Sequence, residues 1–418
     1  MPDAVIHTAA WLVNPDVPPL EKGALLVHNG RIEATGSLSD LTARYSVPVT
    51  EHADAAIIPG FVNAHTHLEL TNFPAWREKN GMGYSPRRFV DWIIQLVKIT
   101  RRIESTDFTA SLSAGISKCI SSGTTTIGDI LTRYNLLPTH LSSPAASRIY
   151  FEVLGHESSH FAPRLADALH HCKSLAGDLH RPALSPHAPY TLGEDPMGAV
   201  AAAIRQNGLP VSLHLSESSA EVEFVFDSTG QIADELYPFV GWEQFLMPPR
   251  RVSSTTLLDR SGLLTPSTMA VHCVHVTLDD ARILKERGCS ICLCPRSNEI
   301  LDVGKAPVAL FKKLGIPLAL GTDSLASNNS LSLWDEMRFA LDAFPRELSP
   351  ADALRMATTG GAAALGLSGD AGSLAPGRRA DFQVIRNIGC GENGLLERMI
   401  RQGTVEDVYC SGTRYTSA

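Results

Sequence analysis

From Ala56 onward, short apolar runs alternate with longer helical patterns, and no other feature restricts the fold of this 418-residue chain so tightly. The strand candidates are 57–63, 124–129, 148–154, 182–185, 210–214, 269–272, 290–294 and 317–321. The spacing between them predicts helices, among them 89–103, 281–287 and 307–314. Eight strands interleaved with helices predict an α/β chain folded as a (β/α)8 barrel. His65, His187, His214, His272 and Asp323 each fall at or just past the C-terminal end of one of these runs. Barrel enzymes keep their active sites at that end, and a random scatter of histidines would not respect it.

Outside the alternating region the texture changes. Two short β-like runs, 24–27 and 31–34, flank Asn29-Gly30, and Asn-Gly between apolar stretches is a hairpin signal. A helical stretch over 350–364 leads into turn and strand patterns at 372–385. Residues 1–58 and 366–418 are therefore expected to pair into one small β-sandwich beside a barrel spanning 59–365.

Composition narrows the partners. A net charge of −8 with no long Lys/Arg run argues against nucleic acid, which binds by releasing counterions to basic side chains. No stretch approaches the roughly 20 apolar residues of a membrane span, and the N-terminus lacks a basic segment followed by an apolar core. The expectation is a cytoplasmic enzyme acting on a small molecule. Eight thinly spread cysteines suit reduced thiols. The Cys289, Cys292 and Cys294 cluster reads as a buried strand rather than a zinc or redox site, because no second C-x-x-C lies nearby.

His65 and His67, two apart at a strand end, can turn both imidazoles toward one cation. His214 and Asp323 are further ligand candidates; a buried, unpaired Asp at a strand end is costly and calls for a metal or a cationic partner. Glu217, three residues past His214, suits a proton shuttle, since hydrolysis at an amino-bearing ring carbon takes a proton from water and delivers protons to a ring nitrogen and the departing amine. His272 is placed to hydrogen-bond and stabilise developing charge. His275 cannot point into the same site from the same strand and reads as structural. His187, held between Pro186 and Pro189, suits a substrate-orienting donor.

Together the stretches Pro-Gly-Phe-Val-Asn-Ala-His-Thr-His (59–67), Ser-Pro-His-Ala-Pro-Tyr (185–190), His-Leu-Ser-Glu (214–217), Val-His-Cys-Val-His (271–275), Cys-Pro-Arg-Ser-Asn (294–298) and Gly-Thr-Asp-Ser-Leu-Ala-Ser-Asn-Asn (321–329) resemble the amidohydrolase superfamily, in the branch of nucleoside and nucleobase deaminases and triazine chlorohydrolases. The resemblance implies one divalent metal per subunit, zinc first and iron or manganese as alternatives, held by His65, His67, His214 and Asp323. It implies catalytic roles for Glu217 and His272 and a ring contact for His187, and it allows a homodimer. No motif suggests a bridging carboxylated lysine, which argues against a binuclear centre.

Within the branch the chain is similar to the methylthioadenosine/adenosylhomocysteine deaminases, but where an alignment on Trp92 places their ribose-binding Glu, this chain has Arg101. The phrases His67-Leu-Glu-Leu, Phe89-Val-Asp-Trp92 with Arg101-Arg102, and Tyr150-Phe-Glu-Val-Leu-Gly155 are closer to the aminodeoxyfutalosine deaminases of menaquinone synthesis. Their substrate is an adenosine extended by an aromatic carboxylate. Arg101 or Arg102 would suit that carboxylate, and Glu69 or Glu152 the ribose hydroxyls. Alternatives are a methylthioadenosine/adenosylhomocysteine deaminase, an s-triazine or pyrimidine hydrolase, and a catalytically silent scaffold.

Overall fold

The structure, a computed structural model, describes residues 4–83, 86–175, 177–389 and 391–416. Eight parallel strands follow one another in chain order: β1 (Phe61–Thr66), β2 (Thr124–Leu131), β3 (Ala146–Val153), β4 (His180–Pro186), β5 (Val211–Leu215), β6 (Thr268–His272), β7 (Ser290–Leu293) and β8 (Leu318–Leu320). A parallel bridge between Thr66 and Asp323, with the Asp323 amide donating to His65 O at 3.0 Å, brings the last strand back to the first. The expected (β/α)8 barrel is therefore the observed one.

Buried side chains fill the barrel as its alternating pattern requires, with Val62, Ile130, Tyr150, Met269, Val271 and Cys292 sharing one interior cluster. Ala362, Leu365 and Leu367 close its lower end. The upper end is left for polar residues. Gly321 has to be a glycine here, because a Cβ would collide with His65 Cβ and Cys292 Sγ.

One strand expectation needs correction. The apolar run 57–63 is not a single barrel strand: Val49–Pro59 belongs to the other sheet, and β1 begins only at Phe61. The break is Pro59-Gly60, where Gly60 packs against Thr125 so closely that any side chain would collide with it. Continuous hydrophobicity hid the junction, because both segments are buried.

The two chain ends form a second, mixed sheet in which Phe382–Arg386 pairs antiparallel with Val49–Pro59, and Val5–Leu12 pairs parallel with Val49–Pro59 and antiparallel with Gly23–His28. The Asn29-Gly30 hairpin is present, with both residues at positive φ. That is the double left-handed turn this dipeptide favours. This sheet curls until Ile32 N donates to Arg378 O at 2.9 Å and Ala380 N to Gly30 O at 2.9 Å, so that Leu25, Ile57, Phe382 and Tyr409 face one interior. No helix among the described residues is long and apolar enough to cross a membrane. The seven described cysteines are unpaired and buried; Cys390 lies outside the described residues.

Candidate metal centre and substrate cavity

The strand ends of β1, β5, β6 and β8 meet at the floor of a cavity of about 400 Å³. His67 Nε2 lies 3.3 Å from His214 Nε2, and Asp323 Oδ1 lies 3.7 Å from His65 Nε2 and 3.8 Å from His67 Nε2. His214, Asp323 and His272 are held from behind. His214 Nδ1 donates to His187 O at 2.8 Å. That bond fixes the tautomer and turns Nε2 inward. Asp323 Oδ2 accepts Ser297 Oγ at 2.8 Å and Ser327 Oγ at 2.7 Å, leaving Oδ1 for the histidines. His272 Nδ1 is 2.9 Å from Asn298 Oδ1, so its Nε2 faces Glu217 Oε1 at 3.6 Å.

The backbone cooperates. Ser216, His272 and Asp323 all sit at positive φ, in the left-handed region. Non-glycine residues enter that region at a cost of about 1–3 kcal/mol. Each turns the chain sharply as it leaves its strand. Glu221 secures one of these turns: its two oxygens accept the Ser216 and Glu217 amides at 2.8 and 3.0 Å.

Electrostatics follow from burial. Burial, with Asp323 and Glu221 adding repulsion, pushes the Glu217 carboxyl well above its usual range. Burial alone would raise Asp323 too, but the His65, His67 and His272 rings outweigh it and hold that carboxyl well below the usual range. Burial and the surrounding imidazoles drive His214 far down, toward the neutral form that can act as a ligand.

The cavity wall is of different make. One side is apolar, formed by Trp92, Leu96, Val97, Leu236, Val240 and Trp242, with Trp92 Nε1 anchored on Ala326 O at 2.9 Å. The other carries Glu69, Thr132, Arg133, Glu152 and His187. Glu152 accepts Thr132 Oγ1 at 2.8 Å on one oxygen. Arg101 lines the cavity from the end of the helix Phe89–Thr100, its guanidinium 5.6 Å from the Phe239 ring centre.

A match to the model of the amidohydrolase family spans residues 56–414. The chain belongs to that family. It is a hydrolase acting on C–N bonds. It is 31% identical over 395 residues to a 5-methylthioadenosine/S-adenosylhomocysteine deaminase of Syntrophobacter fumaroxidans, covering 91% of this chain and 84% of the relative. It is 30% identical over 354 residues to an aminodeoxyfutalosine deaminase of Deinococcus radiodurans, covering 82% of this chain and 81% of the relative. An adenosine deaminase of Xanthomonas campestris, solved with bound zinc, shares the fold with a TM-score of 0.82 at 24% identity, over 98% of this chain and 92% of that one.

The floor offers a donor set that fits a divalent metal. Two sets of three ligand atoms, from His65, His67 and Asp323 and from His65, His214 and His272, each lie within 4.8 Å of one another. His65 is 0% exposed, and neither of its ring nitrogens has a hydrogen-bond partner among the described residues. An unsatisfied buried imidazole costs about 1–3 kcal/mol. A cation at this point gives one of those two nitrogens its partner.

Of the remaining expected residues, Glu69, Glu152, His187 and Arg101 reach the cavity, but Arg102 does not. Arg102 is exposed and donates to Asn80 Oδ1 at 3.3 Å, because the chain leaves the helix at Arg101 and turns its next side chain outward. His275 hydrogen-bonds Val303 O at 2.9 Å and stays out of the cavity. Arg296 also stays out of the lining, and its amide donates to the buried Glu336 at 2.9 Å.

Sequence reasoning missed Arg133 and Glu221. Arg133 ion-pairs with Glu69, donates its amide to Glu69 Oε2 at 3.2 Å and lies 3.5 Å above the Phe108 ring. Burial pushes the Glu69 carboxyl up to about 7 even against this arginine. The pair shows the cavity its cationic end, since the Arg133 side chain is 30% exposed and that of Glu69 only 2%. Arg133 follows a strand as one charge among many, and its partner is 64 residues away; no local pattern marks it.

Proposed function

We propose that the protein replaces the 6-amino group of an adenosine derivative by oxygen, releasing ammonia, and that 6-amino-6-deoxyfutalosine is its substrate, which would place it in menaquinone synthesis. The observation that carries the reaction class is Glu217, buried on the cavity floor beside His272 and the cluster of inward-turned ring nitrogens. In this reading His65, His67, His214 and Asp323 hold the metal, with zinc the first choice for a His3Asp set. When bound, the metal supplies Lewis acidity that lowers the pKa of a water.

The chain's own residues account for the rest. Glu217 accepts a proton from the attacking water and passes it to the ring nitrogen, then accepts the second proton from the hydroxyl now on the ring carbon and passes it to the departing amine. His272, locked by Asn298, presents Nε2 to the oxygen that gains charge at C6. His187, whose Nδ1 is 3.1 Å from Thr191 Oγ1, turns Nε2 to the purine. Glu69 is committed to Arg133, which leaves Glu152 as the carboxylate for the ribose hydroxyls. Arg101 and Arg133 give the cavity two cationic groups for a substrate carboxylate.

A methylthioadenosine/adenosylhomocysteine deaminase is the second reading. The apolar wall of Trp92, Leu96 and Val97 favours it, because that wall suits a thioether as well as an aromatic ring. Ammonia release by zinc-loaded protein from aminodeoxyfutalosine, methylthioadenosine, adenosylhomocysteine, guanine and chlorotriazines separates the readings. Aminodeoxyfutalosine is expected to give the highest kcat/KM. No turnover of any 6-aminopurine nucleoside would remove the proposed reaction.

A further inference from the structure

We infer that Asp129, on β2, is the positioning residue for His67, and that metal affinity depends on it. This rests on the reading that the floor holds a metal. Asp129 is fully buried. Its Oδ1 accepts Thr66 Oγ1 at 2.6 Å and the Leu68 amide at 2.9 Å, and its Oδ2 lies 2.7 Å from His140 Nε2. Thr66 and Leu68 are the two neighbours of His67, so one carboxylate oxygen grips the chain on both sides of that side chain.

The backbone explains why the grip is needed. The β1–β2 ladder loses register between Asn63 and Thr66 and resumes with Thr66 opposite Asp129. In that gap the strands approach so closely that a Cβ on Gly128 would meet Ala64 O at 2.3 Å. Immediately afterwards the chain enters the short turn Leu68–Leu70, whose N-cap is His67 itself and has no side-chain hydrogen bond. An uncapped turn after an irregular strand leaves the direction of His67 loosely set. Asp129 supplies the missing cap from the neighbouring strand, and His140, itself buried, fixes the carboxylate in turn. Glu69 lies in the same turn, so the same carboxylate also aims it at Arg133.

The test is Zn(II) affinity, measured by competition with a fluorescent chelator, for wild type, Asp129→Ala, Asp129→Asn and Thr66→Val, with melting of the metal-free forms alongside. Asp129→Ala is expected to weaken zinc about 10–100-fold, the usual cost of losing a group that orients a ligand. Asp129→Asn keeps a carbonyl oxygen for both donors and is expected to stay within about threefold of wild type. Thr66→Val removes a single donor and should cost about three- to tenfold.

A purely structural Asp129 would lower the melting temperature of the metal-free protein and leave zinc affinity alone. Wild-type affinity in folded Asp129→Ala overturns the inference, as does Asp129→Asn binding as weakly as Asp129→Ala. Should Asp129→Ala not fold, wild-type affinity in Thr66→Val overturns it. Absence of zinc binding by the wild type removes the metal reading itself, and the inference with it.

Discussion

On the cavity floor, polar groups are gripped from behind: His214 by His187 O, Asp323 by Ser297 and Ser327, and His272 by Asn298. On the wall, Arg101 has the Phe239 ring near its guanidinium, and Arg133 spends one edge on Glu69 and one face on Phe108. The floor is preorganised for one arrangement of charge, the condition for stabilising a transition state. The wall keeps cationic donors and apolar surface for whatever the substrate carries beyond its reacting ring. On the proposed function, chemistry belongs to the floor and selectivity to the wall, and mutations should separate them.

The sharpest separation is expected from Glu217→Gln. It should keep the fold and the metal and lose about 10²–10⁴-fold in kcat for every substrate alike. Activity within tenfold of wild type would take Glu217 out of the proton-shuttle role. Arg133→Met should behave in the opposite way. KM for a carboxylate-bearing substrate is expected to rise about tenfold or more, the cost of a charge-assisted hydrogen bond, while neutral methylthioadenosine stays within about threefold. Equal losses on both substrates would make Arg133 a structural partner of Glu69 instead.

A smaller effect tests the scaffold behind the floor. Burial pushes the Glu336 carboxyl up to about 8 from an ordinary 4.5, although Arg296 and Asn328 oppose the shift. The folded protein thus holds a proton that the unfolded chain releases, a contribution complete below about 4.5 and lost as pH rises through about 8. In the metal-free protein, Glu336→Gln should make the slope of melting temperature against pH between 5 and 8 less negative than in the wild type. An unchanged slope would show that other groups set it. Arg102→Ala, at a side chain turned to Asn80, should leave kcat and KM within about twofold. A tenfold rise in KM would return Arg102 to the wall.

The same contrast explains what could be read from the sequence. Floor residues are strand-end residues, and the short apolar runs that announce the barrel point directly to His65, His214, His272 and Asp323. The Asn29-Gly30 hairpin was legible because its backbone requires those residue types. Pro59-Gly60 was not, since a chain passing from one buried sheet to another stays apolar throughout. The arginines come from a loop and a helix end, where orientation is decided by partners that no local pattern marks: Arg133 is held on the wall by Glu69, and Arg102 is turned away from it toward Asn80. Glu221 escaped notice because a carboxylate in the first turn of a helix reads as ordinary capping, and here it binds the Ser216 and Glu217 amides instead.

In the proposed site, His65, His67, His214 and Asp323 share one metal while Glu217 and His272 remain free for protons and charge. An anomalous difference map of zinc-loaded crystals, collected at the zinc edge, decides this assignment. One peak per subunit is expected, bonded to His65 Nε2, His67 Nε2, His214 Nε2 and Asp323 Oδ1, with no bond to Glu217. A peak bonded to Glu217, or none within the His65–Asp323 cluster, would contradict it.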